Sequence, residues 1–498
     1  MKIRLFLMMM MMLTALLSPG AMAEESISAA PTTSVEDVKK EQYELRKKVN
    51  TLCSQVNKLQ SKKPTPTTSI TVENTPVDHI DIPSAFYFGA TPILSAPYIG
   101  EQTYFNGAHL IVNLPSVNED LRLLQFQQRL YNTYLNNKIP YPKNPFVQFS
   151  GKVEAQALAS TPYSGNRTSD INLTGAELDM AAVLNRFAVS FLGFSYDSSA
   201  PSANNPPITR VTNSRVVLTK GFLSIGNLNK APAYGTVGQF YIPFGLYASN
   251  MLSAPLTASV GQMLERAVLI GYSPGPQGPY GSVFTFKGDS GSGGTLGHIN
   301  QVGVNAGLAK DFGQVKTDVG VGYIANIADS SGMQNNGQTS GFTGFGGSSA
   351  TENLAHRVPA VDIRGNLAID KYNFRAEYVD AIRTFASTDM SFNGRSARPG
   401  ALNIEGSYSF MTYSHPSAVA VGYGNSSEAL ALLIPKQTYR AVYSMAAWQS
   451  TIATIEFRHD INYEASDYAS GGGGLAVNTG SDLGHTSQTV TAQLGVYF

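Results

Sequence analysis

Eight charged residues stand at spacings that suit a water-lined passage: Lys152, Glu154, Arg364, Arg375, Glu377, Arg440, Glu456 and Arg458. Each falls on the polar side of a segment whose alternate residues are apolar, so a strand would carry them all to one face. Opposed charges across a narrow aqueous channel set a transverse field that favours some solutes over others. A second reading leaves them as solvated wall residues that pair with one another. Other chemistry is poorly served. The seven histidines, His79, His109, His298, His356, His415, His459 and His485, show no metal-ligand spacing, and Cys53 is the only cysteine. No metal site and no cofactor is therefore expected. Gly471 to Gly474 is followed by no Lys-Ser/Thr pair and opens no helical pattern, so it is no phosphate loop. Glu177 and Asp179 share a strand face but have no nucleophile nearby, and the chain reads as a non-enzyme with no catalytic residue.

The elements that would position these charges are strands. Val147, Phe149, Gly151, Val153 and Ala155 alternate with Gln148, Ser150, Lys152, Glu154 and Gln156. Val361, Ile363, Gly365 and Leu367 alternate with Asp362, Arg364 and Asn366, and Tyr372, Phe374, Ala376 and Tyr378 alternate with Asn373, Arg375 and Glu377. Ala453, Ile455, Phe457 and Ile461 do the same with Thr454, Glu456, Arg458 and Asp460. One face fits hydrocarbon and the other fits water, the signature of a transmembrane strand. Tight turns at Asp370-Lys371 and at Lys310 to Gly313 contrast with long Gly- and Ser-rich connections at 198–207, 288–297, 329–353 and 469–484. Short turns at one end and long loops at the other are the asymmetry of an outer-membrane barrel. Alternating runs from Phe146 onward number about 16, which leaves about 22 residues for each strand with its connection. The expected fold is all-β: a transmembrane antiparallel β-barrel over residues 146–498. Its last strand, Val490, Ala492, Leu494, Val496 and Phe498, ends on an aromatic residue, a pattern resembling the signal read by the barrel-assembly machinery.

The N-terminal part reads differently. Residues 1–23 have the anatomy of a cleaved signal peptide: Lys2 and Arg4, the apolar run Leu5 to Leu17, a Ser18-Pro19-Gly20 break and Ala21-Met22-Ala23. Residues 24–60 suit a short periplasmic coiled coil, with Val35, Val49 and Val56 at a, Val38, Leu45, Leu52 and Leu59 at d, and Gln42 as the polar exception. A solitary amphipathic helix is the alternative; a coiled coil would make the chain a homo-oligomer. Residues 61–69 read as a Pro-containing linker. Residues 70–145 read as a plug-like or cap segment: aromatic, irregular chain around 82–89, then one helix. Ser116 and Glu119 form its capping box, and Val117, Leu121, Leu124, Tyr131 and Leu135 its apolar face. Whether this segment enters the barrel or caps its mouth stays open.

Lys+Arg and Asp+Glu are both 35, so no charge imbalance points to nucleic acid.

The layout resembles the outer-membrane siderophore-porin family typified by the legiobactin receptor. The residues that carry the resemblance are His79 to Ser84, Leu114 to Leu121 and the run Val237-Gly238-Gln239-Phe240-Tyr241-Ile242-Pro243-Phe244-Gly245. The resemblance implies uptake of an iron–siderophore complex across the outer membrane, without naming a ligand-binding residue. A general porin for small nutrients or anions is the alternative, and a barrel that anchors the envelope through its coiled coil is the third reading. An energised transporter is a plugged barrel of about 22 strands, more than this chain provides.

Overall fold

In the computed structural model, two-residue alternation is realised as an unbroken ladder of antiparallel strands. The structure describes residues 85–88, 91–95, 118–136, 138, 141 and 145–497, apart from 198–214, 276, 293–296, 314, 335–343, 346–351, 414, 449–450, 472–474 and 478–481. The signal peptide, the coiled coil with Cys53, the linker, Ser116 of the capping box and Val117 of the apolar face lie outside the described residues.

Sixteen strands follow one another: β1 (Phe146–Thr161), β2 (Thr168–Val183), β3 (Ala188–Asp197), β4 (Arg215–Gly226), β5 (Ala233–Tyr241), β6 (Leu264–Tyr272), β7 (Gly278–Phe286) and β8 (Gln301–Asp311). The second half is β9 (Val315–Ile324), β10 (Ala360–Ile369), β11 (Tyr372–Ala381), β12 (Gly400–Thr412), β13 (His415–Ser427), β14 (Gln437–Trp448), β15 (Thr451–Ile461) and β16 (Thr486–Tyr497). Every strand pairs with its sequence neighbour, and β16 pairs back onto β1 from Gln488↔Thr161 to Tyr497↔Lys152. Closure pairs the strands all round the wall, as a sheet surrounded by hydrocarbon requires.

Connections alternate in length. One end has short turns, from two residues at 370–371 to six at 227–232, and the other carries 242–263, 325–359, 382–399 and 462–485. Both β1 and β16 meet the short-turn end. The outward positions are apolar and exposed, among them Val153, Val268, Ile270, Val304, Val321, Phe374, Val421, Ile455 and Leu494. The inward positions are buried and of two kinds: polar at Gln148, Ser150, Asn305, Asp362, Asn403, Thr438 and Thr454, and apolar at Phe146, Phe191, Phe222, Leu269, Phe284 and Phe286. This wall is apolar outside and carries most of its buried polar side chains inside, as a membrane barrel does.

Two features depart from the sequence expectation. The stretch around 82–89 is not wholly irregular: Ala85–Phe88 and Thr91–Ser95 form a hairpin whose second strand runs parallel to Val147–Phe149. The reason is stagger. β16 ends opposite Lys152, so the first residues of β1 have no barrel neighbour on that side, and the hairpin supplies one. The helix α1 (Glu119–Asn136) exists, but its buried face is rotated from the expected one: Leu123, Leu124 and Tyr134 are buried while Leu135 is 62 % exposed. Its partner is a mixed inner wall: Leu123 and Leu124 join a cluster with Phe146, Val183, Phe191, Phe222 and Tyr234, while Lys220 takes Glu119, so Glu119, Asp120 and Gln127 are buried alongside the leucines. An apolar stripe alone does not locate that face.

Candidate functional site

The lumen is shaped by the connection between β5 and β6. Residues 242–263 hold no charged side chain, yet they turn inward and run along the wall of β11 to β16. Ile242, Phe244, Tyr247, Leu256, Val260 and Met263 join one apolar core with residues of the long outer loops, including Ile327, Phe345, Phe385 and Leu430. The short helix α2 (Leu256–Gly261) is buried there. Farther along, Met251 packs on Ala420 and Val442, and Leu252 on Ala418, Ile452 and Tyr497.

Apolar packing does not explain the path of the backbone; three glutamates do. Glu377 accepts from the Leu246 N–H at 2.6 Å, from the Tyr247 N–H at 2.9 and 3.0 Å and from Thr257 Oγ1 at 3.0 Å. Glu405 accepts from Ser249 Oγ at 2.6 Å and the Asn250 N–H at 2.7 Å. Glu456 accepts from the Leu252 N–H at 2.6 Å and the Ser253 N–H at 3.2 and 3.3 Å. Charge-assisted hydrogen bonds to backbone N–H groups are the strong kind, and here they recur at three successive points along one segment. Arg440 adds a fourth tie, donating from Nη1 to the Ser253 carbonyl at 3.0 Å and from Nη2 to Glu405 at 3.4 Å and to Asn403. Gly245 makes the entry turn feasible. It sits at φ +85°, where a Cβ would also strike the Tyr247 ring.

A separate ionic group lies on β1, β2 and β4. Lys220 Nζ is 2.8 Å from Glu177 and 3.2 Å from Glu119, the first residue of α1, while Lys152 lies 3.8 Å from Glu177 and 3.6 Å from Glu154. Glu154 also accepts from the Tyr497 hydroxyl at 2.9 Å. The chain of charges thus joins the start of α1 to the inner wall. Farther along the helix, Gln127 Nε2 donates to the Asn185 carbonyl at 2.6 Å and Gln128 Nε2 to Asn229 Oδ1 at 3.1 Å, both in short turns. Arg186 lies 5.1 Å from the centre of the Tyr131 ring, a cation–π contact in the same place.

The eight charges singled out from sequence therefore fall into different settings. Lys152 and Glu154 belong to the α1 group. Glu377, Glu456 and Arg440 hold the inserted segment. Arg364 is bound by Asp362 at 2.7 Å and Asn305 at 2.5 Å, Arg375 donates to Asn366 at 3.1 Å, and Arg458 pairs with Asp460 at 2.8 Å. Sequence reasoning missed Glu405, Lys220 and Glu119 as members of these groups and gave Glu177 no partner. The signal was there for Glu405: Ile404 and Leu402 flank it and Asn403 at alternating positions, as in the strands already recognised.

These residues define a closed sixteen-stranded antiparallel barrel with charged and polar groups lining its interior, narrowed by its own inserted segment. The chain belongs to the UPF0422 family. It is 39% identical over 419 residues to a UPF0422 protein of Legionella pneumophila strain Lens, covering 83% of this chain and 78% of the relative. A UPF0422 protein of Coxiella burnetii is 32% identical over 481 residues, covering 96% and 97%. No protein-family model matches. Among solved structures, the chain is similar to the outer membrane channel DcaP of Acinetobacter baumannii (TM-score 0.46, 13% identity, 72% of this chain and 99% of that one). An anion-selective porin from Comamonas acidovorans gives a TM-score of 0.45 at 8% identity, over 71% of this chain and 100% of that one.

Proposed function

We propose that this protein is an outer-membrane channel, a conduit rather than an enzyme, whose bore is set by residues 242–263 docked on Glu377, Glu405 and Glu456. The apolar outer wall supports the membrane setting, because exposed Val, Ile, Leu and Phe in a continuous outer band are stable only against hydrocarbon. The single observation that carries the channel reading is the mid-barrel docking of an uncharged segment by its backbone. A barrel used only as an anchor needs no such internal narrowing. In this reading α1 lies at the short-turn, periplasmic mouth and adds a second restriction there.

The finer reading, carriage of an iron–siderophore complex, has its support in the family resemblance of the sequence. Passage would be passive or coupled through another component, since residues of an energy-coupling box are not recognisable after Ala23. Single-channel recording in a planar bilayer tests the channel itself: small, discrete conductance steps are expected, and a silent bilayer overturns it in favour of anchoring. Whole-cell uptake of labelled iron–siderophore by a deletion strain tests the cargo. A fall in uptake, restored by the gene, is expected; undiminished iron uptake with normal conductance leaves a general small-solute porin.

A further inference from the structure

Arg266 interrupts the apolar outer band. On β6 the exposed positions read Arg266, Val268, Ile270 and Tyr272, alternating with inward Glu265, Ala267, Leu269 and Gly271. An arginine on this face is held in place by a polar link that runs back over β5 to β4. Gln239, opposite it on β5, accepts from Arg266 Nε at 3.2 Å through Oε1 and donates from Nε2 to the Thr219 carbonyl on β4 at 2.9 Å. The guanidinium is thus oriented through Nε, and its two Nη groups meet no partner among the described residues.

A second cation stands beside it. β6 and β7 pair as far as Ala267↔Phe286, and one more step of that register sets Lys287 opposite Arg266. Lys287 is exposed, on the same side as Val283 and Thr285, and has no ion pair among the described residues. Both cations lie toward the long-loop end of their strands. Toward the short-turn end the same face offers Leu218, Val237, Val268 and Val283, each about half exposed.

We infer that Arg266 and Lys287 form a site for the phosphate of an anionic lipid in the outer leaflet, with its acyl chains lying over Leu218, Val237, Val268 and Val283. The assignment rests on the outer-membrane reading. A planar guanidinium fork presents paired donors to a phosphate, and the neighbouring ammonium adds a point charge. A second copy of the chain is a poorer occupant, because it would have to bring a carboxylate. Among the described strand side chains, alternation puts only Asp380 at an outward position, and Arg398 already binds it.

The test uses the full mature chain in detergent, with phosphatidylglycerol, phosphatidylcholine and inorganic phosphate as probes, read by native mass spectrometry. Wild type is expected to bind phosphatidylglycerol about tenfold or more tightly than phosphatidylcholine. Arg266→Gln with Lys287→Gln should abolish the preference, while Lys316→Gln, an exposed lysine near a short turn, should keep it. Equal binding by wild type and the double variant overturns the site. Inorganic phosphate binding as tightly as the lipid overturns its lipid nature. A double variant that converts a lipid-free oligomer to monomer shows a protein interface instead. A chain freely soluble without detergent would fail earlier, by removing the membrane itself.

Discussion

Glu377 holds the backbone N–H of Tyr247 with both carboxylate oxygens, at 2.9 and 3.0 Å, across 130 residues of sequence. The same carboxylate takes the Leu246 N–H and the Thr257 hydroxyl, so it closes the inserted segment near both of its ends. A glutamine in its place keeps one acceptor but turns an amide NH2 toward N–H donors. Hydrogen bonds to a charged group contribute about 1.5–3 kcal/mol each. Glu377→Gln is therefore expected to lower stability by about 2 kcal/mol, read as a lower urea midpoint. Glu377→Gln combined with Glu405→Gln and Glu456→Gln should release the segment and raise single-channel conductance. An unchanged conductance in the triple variant would show that the segment does not set the bore.

Gly245 is a sharper probe of the same segment, since the change is one methyl group. At φ +85° a Cβ costs about 1–2 kcal/mol in backbone strain alone, and here it also meets the Tyr247 ring. Gly245→Ala should lower the temperature at which the barrel loses its compact mobility on a denaturing gel. Gly313, also at positive φ but with open space around it, should show only the strain component when changed to alanine.

The wall was more legible in the sequence than its contents, for physical reasons. Strands such as Val361 to Leu367 announce themselves because each side chain answers to one of two solvents, so hydropathy alone fixes the period. The two-residue turn at 370–371 followed from the same runs. What docks inside answers to neither rule. The Glu377–Tyr247 contact uses a backbone N–H, a group that every non-proline residue owns, and no residue type marks it in advance. The α1 face was misjudged for a related reason: Lys220 and the Asn185 carbonyl make Glu119 and Gln127 interior residues, while Leu135 stays exposed.

The bond between Lys220 and Glu119 offers a way to loosen α1 selectively. Their side chains are 5% and 1% exposed, and Glu177 shares the lysine at 2.8 Å. Removing one member of a buried pair leaves uncompensated charge and costs about 3–5 kcal/mol. Lys220→Met should therefore destabilise more than Glu119→Gln, because it strands two carboxylates rather than weakening one contact. It should also speed trypsin cleavage after Arg122 in the folded protein. If Lys220→Met leaves that cleavage rate unchanged, the ionic group does not restrain the helix.

Acid should tighten the long-loop end. Asp329 lies in the connection between β9 and β10 and is 2% exposed. Its Oδ1 accepts from the Ser290 N–H at 2.8 Å and the Ser290 hydroxyl at 2.6 Å. Burial pushes this carboxyl up to about 6 from the ordinary 3.8, with Asp289 adding to the rise and the Ser290 bonds opposing it. The folded value lies above the unfolded one, so folding favours the protonated form. The contribution is complete below about pH 4 and is lost as pH climbs through about 6, amounting to about 2–3 kcal/mol. Hydrogen exchange at the amides of 287–292 and 325–333 should accordingly report slower opening, corrected for intrinsic rate, at pH 4.5 than at pH 7.5. Asp329→Asn should remove most of that difference by bringing the pH 7.5 value up to the acid one. A variant with the full wild-type pH dependence would place the titration on another group.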